Sequence, residues 1–178
     1  MSRVLRPSDF AGADTPALAR GLLGRRLVAV ADGRRAALRI TETEAYHGPD
    51  DSASHASRGR TPRAQVMFGP PGRWYVYLCY GVHELLNIVT GPEDFPAAVL
   101  IRGVETLEGP GRLTRALGIG RRFNALPATR ATGLWIEDDG FAPDAREVSA
   151  TPRVGVAYAA SPWREKPWRF VWKPARVS

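Results

Sequence analysis

The stretch from Trp74 to Thr90 constrains the fold of this chain more than any other. Residues 74–80 read Trp-Tyr-Val-Tyr-Leu-Cys-Tyr and residues 85–90 read Leu-Leu-Asn-Ile-Val-Thr, and both runs are rich in the aromatic and branched side chains that favour β-strands. A Gly-Val-His segment at 81–83 separates them, which predicts a β-hairpin with its turn there. The hairpin commits this region to an antiparallel sheet. It also leaves the bulky Tyr80 beside a turn, where few neighbours can cover it.

A second strand pattern carries two carboxylates. Residues 40–46 read Ile-Thr-Glu-Thr-Glu-Ala-Tyr and end a strand predicted from about residue 36, after a strand at 26–31 and an Asp-Gly turn. A regular strand would place every second side chain on one face, namely those of Ile40, Glu42, Glu44 and Tyr46. A glutamate at a strand end among aromatic neighbours can have a raised pKa and act as a general base, whereas a solvated glutamate does no chemistry. Spacing alone does not choose between Glu42 and Glu44.

The rest of the chain alternates short helices with strands. Thr15 or Asp14 can cap a helix that reaches Gly24, and Pro16 suits its first turn. The other predicted elements are short helices at 61–68 and 112–117, a loop at 120–132, and strands at 97–101, 134–137, 153–159 and 168–172. This pattern predicts an α+β (mixed α/β) fold with a mostly antiparallel, curved sheet, in one compact domain over residues 1–178.

The charge of the chain points to an anionic partner. Its 178 residues carry a formal net charge of +7, and since the only lysines are Lys166 and Lys173, almost all of the positive charge is arginine. Arginine binds phosphate through two N–H groups and stacks on aromatic rings, which suits a nucleic acid, although a GC-rich genome would give the same bias. The single cysteine, Cys79, excludes an internal disulfide and predicts a reducing, cytoplasmic location. No apolar run is long enough to predict a membrane span.

The residues themselves leave several functions open. The tyrosines of the two strands could hold a flat base by stacking, or could simply pack the sheet. Arg102 ends one apolar strand and Asn87 interrupts another, and in both places a polar side chain needs a partner or a ligand. His55 follows Asp50 and Asp51, but this spacing matches no metal-ligand motif, so no metal and no cofactor is predicted. The alternatives to an enzyme acting on a nucleobase are a metal-dependent nuclease and a damage sensor that binds nucleic acid without cleaving it.

A series of motifs, taken in order, resembles one enzyme family. The motifs are Glu42-Thr-Glu-Ala-Tyr46, Gly48-Pro49, Asp51, His55, Arg58-Gly59, Thr61-Pro62-Arg63, Met67-Phe68, Pro71-Gly72, Tyr75-Val-Tyr77, Tyr80-Gly81, Asn87, Arg102, Gly109-Pro110-Gly111 and Arg153-Val-Gly-Val156. This series resembles the alkyladenine (3-methyladenine) DNA glycosylases over nearly the whole chain. Motifs of this length and order are far more specific than a single short pattern.

The resemblance implies roles for individual residues. Glu44 would be the general base that activates a water molecule, and Arg102 would help to hold that water together with a main-chain carbonyl near residues 153–154. The pocket for the extruded base would be formed by Tyr46, His55, Tyr77 and Asn87, the last of which would clash with the amino group of guanine. Tyr80 would intercalate into the duplex. Weaker contacts with the DNA backbone would come from Arg63, Val82, His83, Gly111 and Arg112.

The family also implies a reaction and a shape. Such an enzyme flips alkylated or deaminated purines out of double-stranded DNA, hydrolyses the N-glycosidic bond and leaves an abasic site for base excision repair. It would be a monomer with helices around the sheet and a protruding β-hairpin that inserts into DNA. Both lysines lie far in sequence from the carboxylate strand, so a monofunctional enzyme that uses water is expected.

Three departures from the family pattern predict altered contacts with DNA. The segment 57–61 is a residue shorter than in the mammalian form, Val82-His83 replaces a bulkier pair, and Arg112 stands where lysine is usual.

Overall fold

An antiparallel sheet forms the centre of the molecule. The computed structural model describes residues 2–31 and 33–173, and within them ten strands join a sheet whose main path runs β1-β8-β2-β3-β6-β5-β4. The strands are β1 Arg3–Val4, β2 Arg26–Ala31, β3 Arg34–His47, β4 Trp74–Cys79, β5 His83–Val89, β6 Ala97–Val104, β7 Leu107–Glu108, β8 Leu134–Asp138, β9 Val148–Thr151 and β10 Arg169–Trp172. This architecture confirms the predicted α+β class with an antiparallel sheet.

Short helices border the sheet. They are α1 Pro7–Phe10, α2 Thr15–Gly21 and α3 Pro110–Ala116, with 3₁₀ turns at His55–Arg58, Gln65–Phe68, Arg121–Phe123, Arg130–Thr132 and Ala145–Glu147. Asp14 caps α2, because its carboxylate accepts the N–H of Ala17 at 2.9 Å. Among the described residues, no helix has both the length and the apolar character needed to cross a membrane.

The longest strand, β3, links two parts of the sheet. Residues 34–39 pair with β2, whereas residues 40–47 pair with β6 and residues 42–44 also pair with β10 on the other side. The register with β6 shifts between Ile40 and Thr43. As a result Ile40 packs in the main core with Ala45, and the prediction that Ile40 shares a face with Glu44 was wrong. A β-bulge adds a residue to one strand and thereby reverses the alternation of side chains.

The predicted hairpin is formed by β4 and β5, which pair from Trp74↔Ile88 to Cys79↔His83. The turn lies at residues 80–82, one position earlier than predicted, since His83 already belongs to β5. The N–H of Val82 donates to the carbonyl of Cys79 at 3.1 Å, and Tyr80 and Gly81 both have positive φ angles, of 49° and 70°. Two such residues in succession match a type I′ turn, which suits the twist of a hairpin. The conformation is costly for tyrosine, because its Cβ crowds the backbone there.

Two apolar clusters occupy opposite faces of the sheet. In the main core, Phe10, Ala19 and Leu113 from the three helices pack against Ile40 and Ile101. On the other face a smaller cluster lies beneath the segment 51–68 and consists of Ala56, Ala64, Met67, Phe68, Tyr75, Val89 and Ala98. Tyr46 and Tyr77 border this second cluster. The side chains that could carry chemistry therefore collect on the face away from the main core.

The C-terminal region differs most from the sequence prediction. Residues 153–159 were predicted as a strand but form turns, and the strand that pairs with β10 is instead β9, at 148–151. Gly155 has a φ angle of 75°, which breaks the extended conformation. Val156 and Ala159 pack on Ala53 in a small separate cluster. The apolar residues of this segment thus cover another loop rather than joining the sheet.

Candidate active site

A cleft of about 720 Å³ opens on the face of the sheet that carries the tyrosines. Its walls come from the hairpin, the end of β3, the middle of β6, the start of α3 and the segments 53–67 and 154–158. Most of the predicted site residues line it, namely Tyr46, His55, Arg63, Tyr77, Tyr80, His83, Asn87, Arg102, Gly111 and Arg112. The remaining two lie outside the lining, since Glu44 is buried behind it and Val82 is exposed on the turn.

Glu44 is held by two hydrogen bonds at the inner end of the cleft. Its Oε1 accepts the backbone N–H of Val154 at 2.8 Å, and its Oε2 accepts the hydroxyl of Tyr46 at 2.9 Å. The side chain is fully buried. Burial raises the pKa of Glu44 above its usual value, although the charge of Arg102 and the two hydrogen bonds oppose this shift. A fixed carboxylate with raised proton affinity is suited to accept a proton.

Glu42 has a different environment. Its Oε1 accepts hydrogen bonds from the Nε of Arg102 at 2.7 Å and from the Nε of Arg169 at 2.6 Å. Burial opposes ionisation of Glu42, but the hydrogen bonds from Arg169 and Arg102 outweigh it, so the pKa of Glu42 lies below its usual value. Of the two carboxylates that spacing alone left open, the geometry therefore favours Glu44, the residue to which the family resemblance also points.

Arg102 connects the two glutamates. It lies at the register shift of β6 and lines the cleft, and its Nε is 3.4 Å from the Oε1 of Glu44. The shorter contact of this nitrogen is with Glu42. Arg102 thus forms an ion pair with the carboxylate of Glu44 at 3.4 Å but donates its Nε hydrogen bond to Glu42.

Aromatic rings form the walls of the cleft. The imidazole of His55 meets the ring of Tyr77 edge-on at 4.6 Å between centroids, and its Nδ1 lies 2.9 Å from the hydroxyl of Tyr75. Burial, together with the charges of Arg63 and Arg58, lowers the pKa of His55, so its imidazole is neutral at pH 7. The rings of His55, Tyr75 and Tyr77 therefore present flat, uncharged surfaces to the cleft, which suit a planar ring.

Asn87 lies within the floor of the cleft and is buried. Its Nδ2 donates to the carbonyl of Tyr75 at 3.1 Å, on the neighbouring strand of the hairpin. This hydrogen bond fixes the orientation of the amide, so the side chain acts as a rigid steric feature of the cleft.

Arg153 and Asp51 form a buried ion pair whose structural role the sequence did not reveal. The guanidinium donates to Asp51 through Nη1 at 2.6 Å and through Nη2 at 2.8 Å, and both side chains have no exposed surface. Nη1 also donates to the carbonyl of Ala45, and the guanidinium lies 4.7 Å from the ring centre of Tyr46. The pair ties the loop after residue 152 to β3, and so places the N–H of Val154 against Glu44.

This pairing also bears on the metal hypothesis. Asp51 is engaged by Arg153, and across residues 2–31 and 33–173 no group of three or more His, Cys, Asp or Glu side chains has the geometry to hold a metal ion. The family motifs already contained both members of this pair, Asp51 and the arginine of Arg153-Val-Gly-Val156, but nothing in their spacing linked the two.

The rim of the cleft carries exposed aromatic and basic side chains. Tyr80 is 92% exposed at the hairpin turn. Tyr158, which sequence reasoning missed, is 71% exposed on the opposite loop, and its hydroxyl donates to the carbonyl of Ala53 at 2.9 Å.

Helix α3 packs closely against the hairpin beside this rim. A Cβ at Gly111 would lie 2.8 Å from the Cγ of His83, so only glycine allows α3 to approach the hairpin this closely.

Together these features define a class of protein. A fixed, buried carboxylate with a raised pKa beside an aromatic cleft, in a chain of net charge +7, fits a hydrolase that acts on a flat base carried by a polyanion. The profile of the methylpurine-DNA glycosylase (MPG) family matches residues 9–108 and 104–176. The chain belongs to this family of DNA glycosylases.

Individual relatives agree with this assignment. A protein of Anaeromyxobacter dehalogenans is 54% identical over 92% of this chain and 81% of its own length. A protein of Methanocella arvoryzae is 42% identical over 92% of this chain and 90% of its own, and one of Sodalis glossinidius is 41% identical over 96% and 98%. All three are provisionally named 3-methyladenine DNA glycosylases.

Proposed function

We propose that this protein is a DNA repair enzyme that removes alkylated purines, and also deaminated purines, from duplex DNA by hydrolysis of the N-glycosidic bond. The observation that carries the proposal is the placement of Glu44, which is buried between the N–H of Val154 and the hydroxyl of Tyr46 at the inner end of the aromatic cleft. Family membership supports the same reaction class. The protein would act as a monomer in the cytoplasm, on the DNA of the nucleoid.

The first step is extraction of the damaged nucleotide. A base within a duplex cannot reach a cleft of this depth, so the nucleotide must rotate out of the stack at a cost of about a few kcal/mol. Tyr80 is exposed at a rigid turn beside the cleft and would fill the gap in the duplex. Arg63 and Arg112 line the same cleft and would hold phosphates, with lesser contacts from Val82, His83 and Gly111.

The second step is recognition of the base. A purine alkylated at N3 or N7 is cationic, and the faces of Tyr46 and Tyr77 would attract it more strongly than a neutral purine. His55 is neutral and would not repel that charge. The fixed amide of Asn87 would clash with the amino group of guanine and so exclude the normal base.

The third step is hydrolysis. Glu44 would accept a proton from a water molecule as the water oxygen bonds to C1′ of the sugar, and the electrons of the N-glycosidic bond would leave with the purine. The sugar gains positive charge in the transition state, which the carboxylate of Glu44 would stabilise. Arg102 would help to hold the water. An alkylated purine leaves readily because it already carries positive charge.

Water rather than an amine would be the nucleophile. Lys166 lies 4.5 Å from the ring centres of both Trp163 and Trp168, and neither Lys166 nor Lys173 lines the cleft. An amine outside the cleft cannot form a Schiff base with the sugar. The enzyme would therefore be monofunctional and would leave an intact abasic site.

The proposal is tested by incubating the purified protein with methylated duplex DNA in the presence of a chelator. We expect release of free 3-methyladenine, measured by chromatography, with no strand cleavage and no covalent complex after addition of borohydride. Tight lesion binding without base release would favour a damage sensor, and strand cleavage that the chelator stops would favour a nuclease. A borohydride-trapped complex would contradict the monofunctional mechanism.

Tyr80→Ala is expected to reduce the single-turnover rate on duplex DNA by about 10- to 100-fold, because the gap left by the flipped nucleotide is no longer filled. On single-stranded DNA with the same lesion the effect should disappear, since there is no stack to reopen. Val30→Ala is the matched control, because Val30 is also an exposed apolar residue but does not line the cleft. An equal loss on both substrates would mean that Tyr80 contacts the base or the sugar instead.

A further inference from the structure

An ion-pair cluster beside Glu44 joins Arg102 to two residues, Glu42 and Arg169, that have no part in the hydrolysis described above. The single oxygen Oε1 of Glu42 accepts hydrogen bonds from two arginines, Arg102 at 2.7 Å and Arg169 at 2.6 Å. Arg169 also donates from Nη1 to the hydroxyl of Thr151 at 3.3 Å. These residues come from four strands, β3, β6, β9 and β10, which meet beside the inner end of the cleft.

We propose that Glu42 and Arg169 are positioning residues that hold Arg102 in a long ion pair with Glu44, at 3.4 Å, and prevent it from donating a hydrogen bond to that carboxylate. The inference rests on the proposed role of Glu44 as the general base. Arg102 has one Nε–H, and that group points to Glu42, whereas the Oε1 of Glu44 is 3.4 Å away. Glu44 then keeps the proton affinity that a general base needs.

The strand register explains why this arrangement is possible. Arg169 lies directly opposite Glu44 in the pairing of β10 with β3, yet its guanidinium binds Glu42, two residues along β3 on the same face. On the other side of β3, the register shift with β6 brings Arg102 to the same oxygen. Gly103 leaves the room for Glu42, since a Cβ there would lie 3.2 Å from the Cβ of Glu42.

The charges around Glu44 predict opposite effects for the two positioning residues. Four groups act directly on the Glu44 carboxylate, namely the charges of Arg102 and Glu42, the Tyr46 hydroxyl and the Val154 N–H. Three further polar side chains lie nearby, namely Tyr77 from β4, Arg153 from the loop and Arg169 from β10. Without Glu42, Arg102 has Glu44 as its nearest carboxylate and would close on it, which favours the ionised form. Without Arg169, the negative charge of Glu42 is less balanced, which disfavours ionisation of Glu44.

The test compares Glu42→Gln and Arg169→Gln with the wild type in single-turnover pH–rate profiles. A general base works only when ionised, so the acid limb follows the pKa of Glu44. In Glu42→Gln we expect this limb to move down by about one pH unit, and the plateau rate to fall about 10-fold because Arg102 covers the carboxylate. In Arg169→Gln the limb should move up by about one pH unit. Arg146→Gln, which removes an exposed arginine, should leave the profile unchanged.

A second measurement does not depend on turnover. Carbon-13 NMR of labelled glutamate carboxyl groups follows the titration of Glu44 directly in each variant, and thermal unfolding shows whether the variants are folded. If the pKa of Glu44 stays fixed in both folded variants, the inference is overturned and the cluster is only structural. If the pKa moves as expected but the wild type releases no base, the proposed function fails while the assignment of the cluster stands.

Discussion

Glu44→Gln is expected to slow the release of damaged base by about 100- to 10,000-fold while leaving binding to lesion-containing DNA intact. Glutamine has nearly the same shape as glutamate, and its Oε1 can still accept the N–H of Val154, so the cleft keeps its form. It cannot take a proton from water, and it cannot stabilise positive charge on the sugar. The loss should appear in the single-turnover rate, and not in the dissociation constant.

The same substitution should preserve or raise the melting temperature at pH 7. Because the pKa of Glu44 is raised in the folded protein, folding favours its protonated form, and the buried ionised carboxylate weakens the fold at pH values above that pKa. The neutral amide removes this cost. Glu93→Gln serves as the control, since Glu93 is an exposed glutamate outside the cleft. Normal base release by a folded Glu44→Gln protein would move the role of general base to Glu42 or to another group.

Asp51→Ala is expected to destabilise the protein by about 3–5 kcal/mol, because it leaves the guanidinium of Arg153 buried without its counter-ion. The carboxylate of Asp51 accepts both hydrogen bonds from Arg153 and also the backbone N–H groups of His47 and Ala53. Both members of the pair have no exposed surface, so water cannot replace the lost partner. Denaturant unfolding followed by tryptophan fluorescence measures the change in the free energy of unfolding.

Asp144→Ala is the matched control for this prediction. Asp144 also pairs with an arginine, Arg146, and also accepts a backbone N–H, but this pair lies on the surface, with side-chain exposures of 90% for the arginine and 42% for the aspartate. Exposed ion pairs contribute about 0–1 kcal/mol, so the control should cost far less. Equal losses in the two variants would show that burial does not set the strength of the Asp51–Arg153 pair.

Activity should also fall in Asp51→Ala, even under conditions in which the variant is folded. Arg153 ties the loop that bears Val154 to β3 through Asp51 and the carbonyl of Ala45. When this loop loosens, the N–H of Val154 no longer fixes Glu44. The structural pair and the proposed chemistry are therefore linked through one backbone segment.

The sequence by itself determined the parts of the molecule that depend on local pattern. The alternation of aromatic and branched residues predicted β4 and β5, and the apolar run with an Asp-Gly pair predicted the β2–β3 hairpin. The structure confirms both hairpins, and in the second it pairs residues from Arg26↔Arg39 to Ala31↔Arg34. The Asp32 of that turn lies outside the described residues. Steric preferences between neighbouring residues and the alternation of side chains act over a few residues, so strands and turns that depend on them can be predicted from the sequence. The family motifs, which lie in a fixed order along the chain, supplied the candidate site residues.

The family resemblance pointed to Glu44 rather than Glu42, but only the tertiary structure gave the physical reason for that choice. Glu42 and Glu44 are two residues apart and look alike in sequence, but Glu42 is bound by Arg102 and by Arg169, which is 127 residues away. The pairing of Arg153 with Asp51, 102 residues apart, and the turns that replaced a predicted strand at 153–159 depend on distant partners in the same way. Burial and ion pairing set the proton affinity of a carboxylate, and both are fixed by which distant segments the fold brings together.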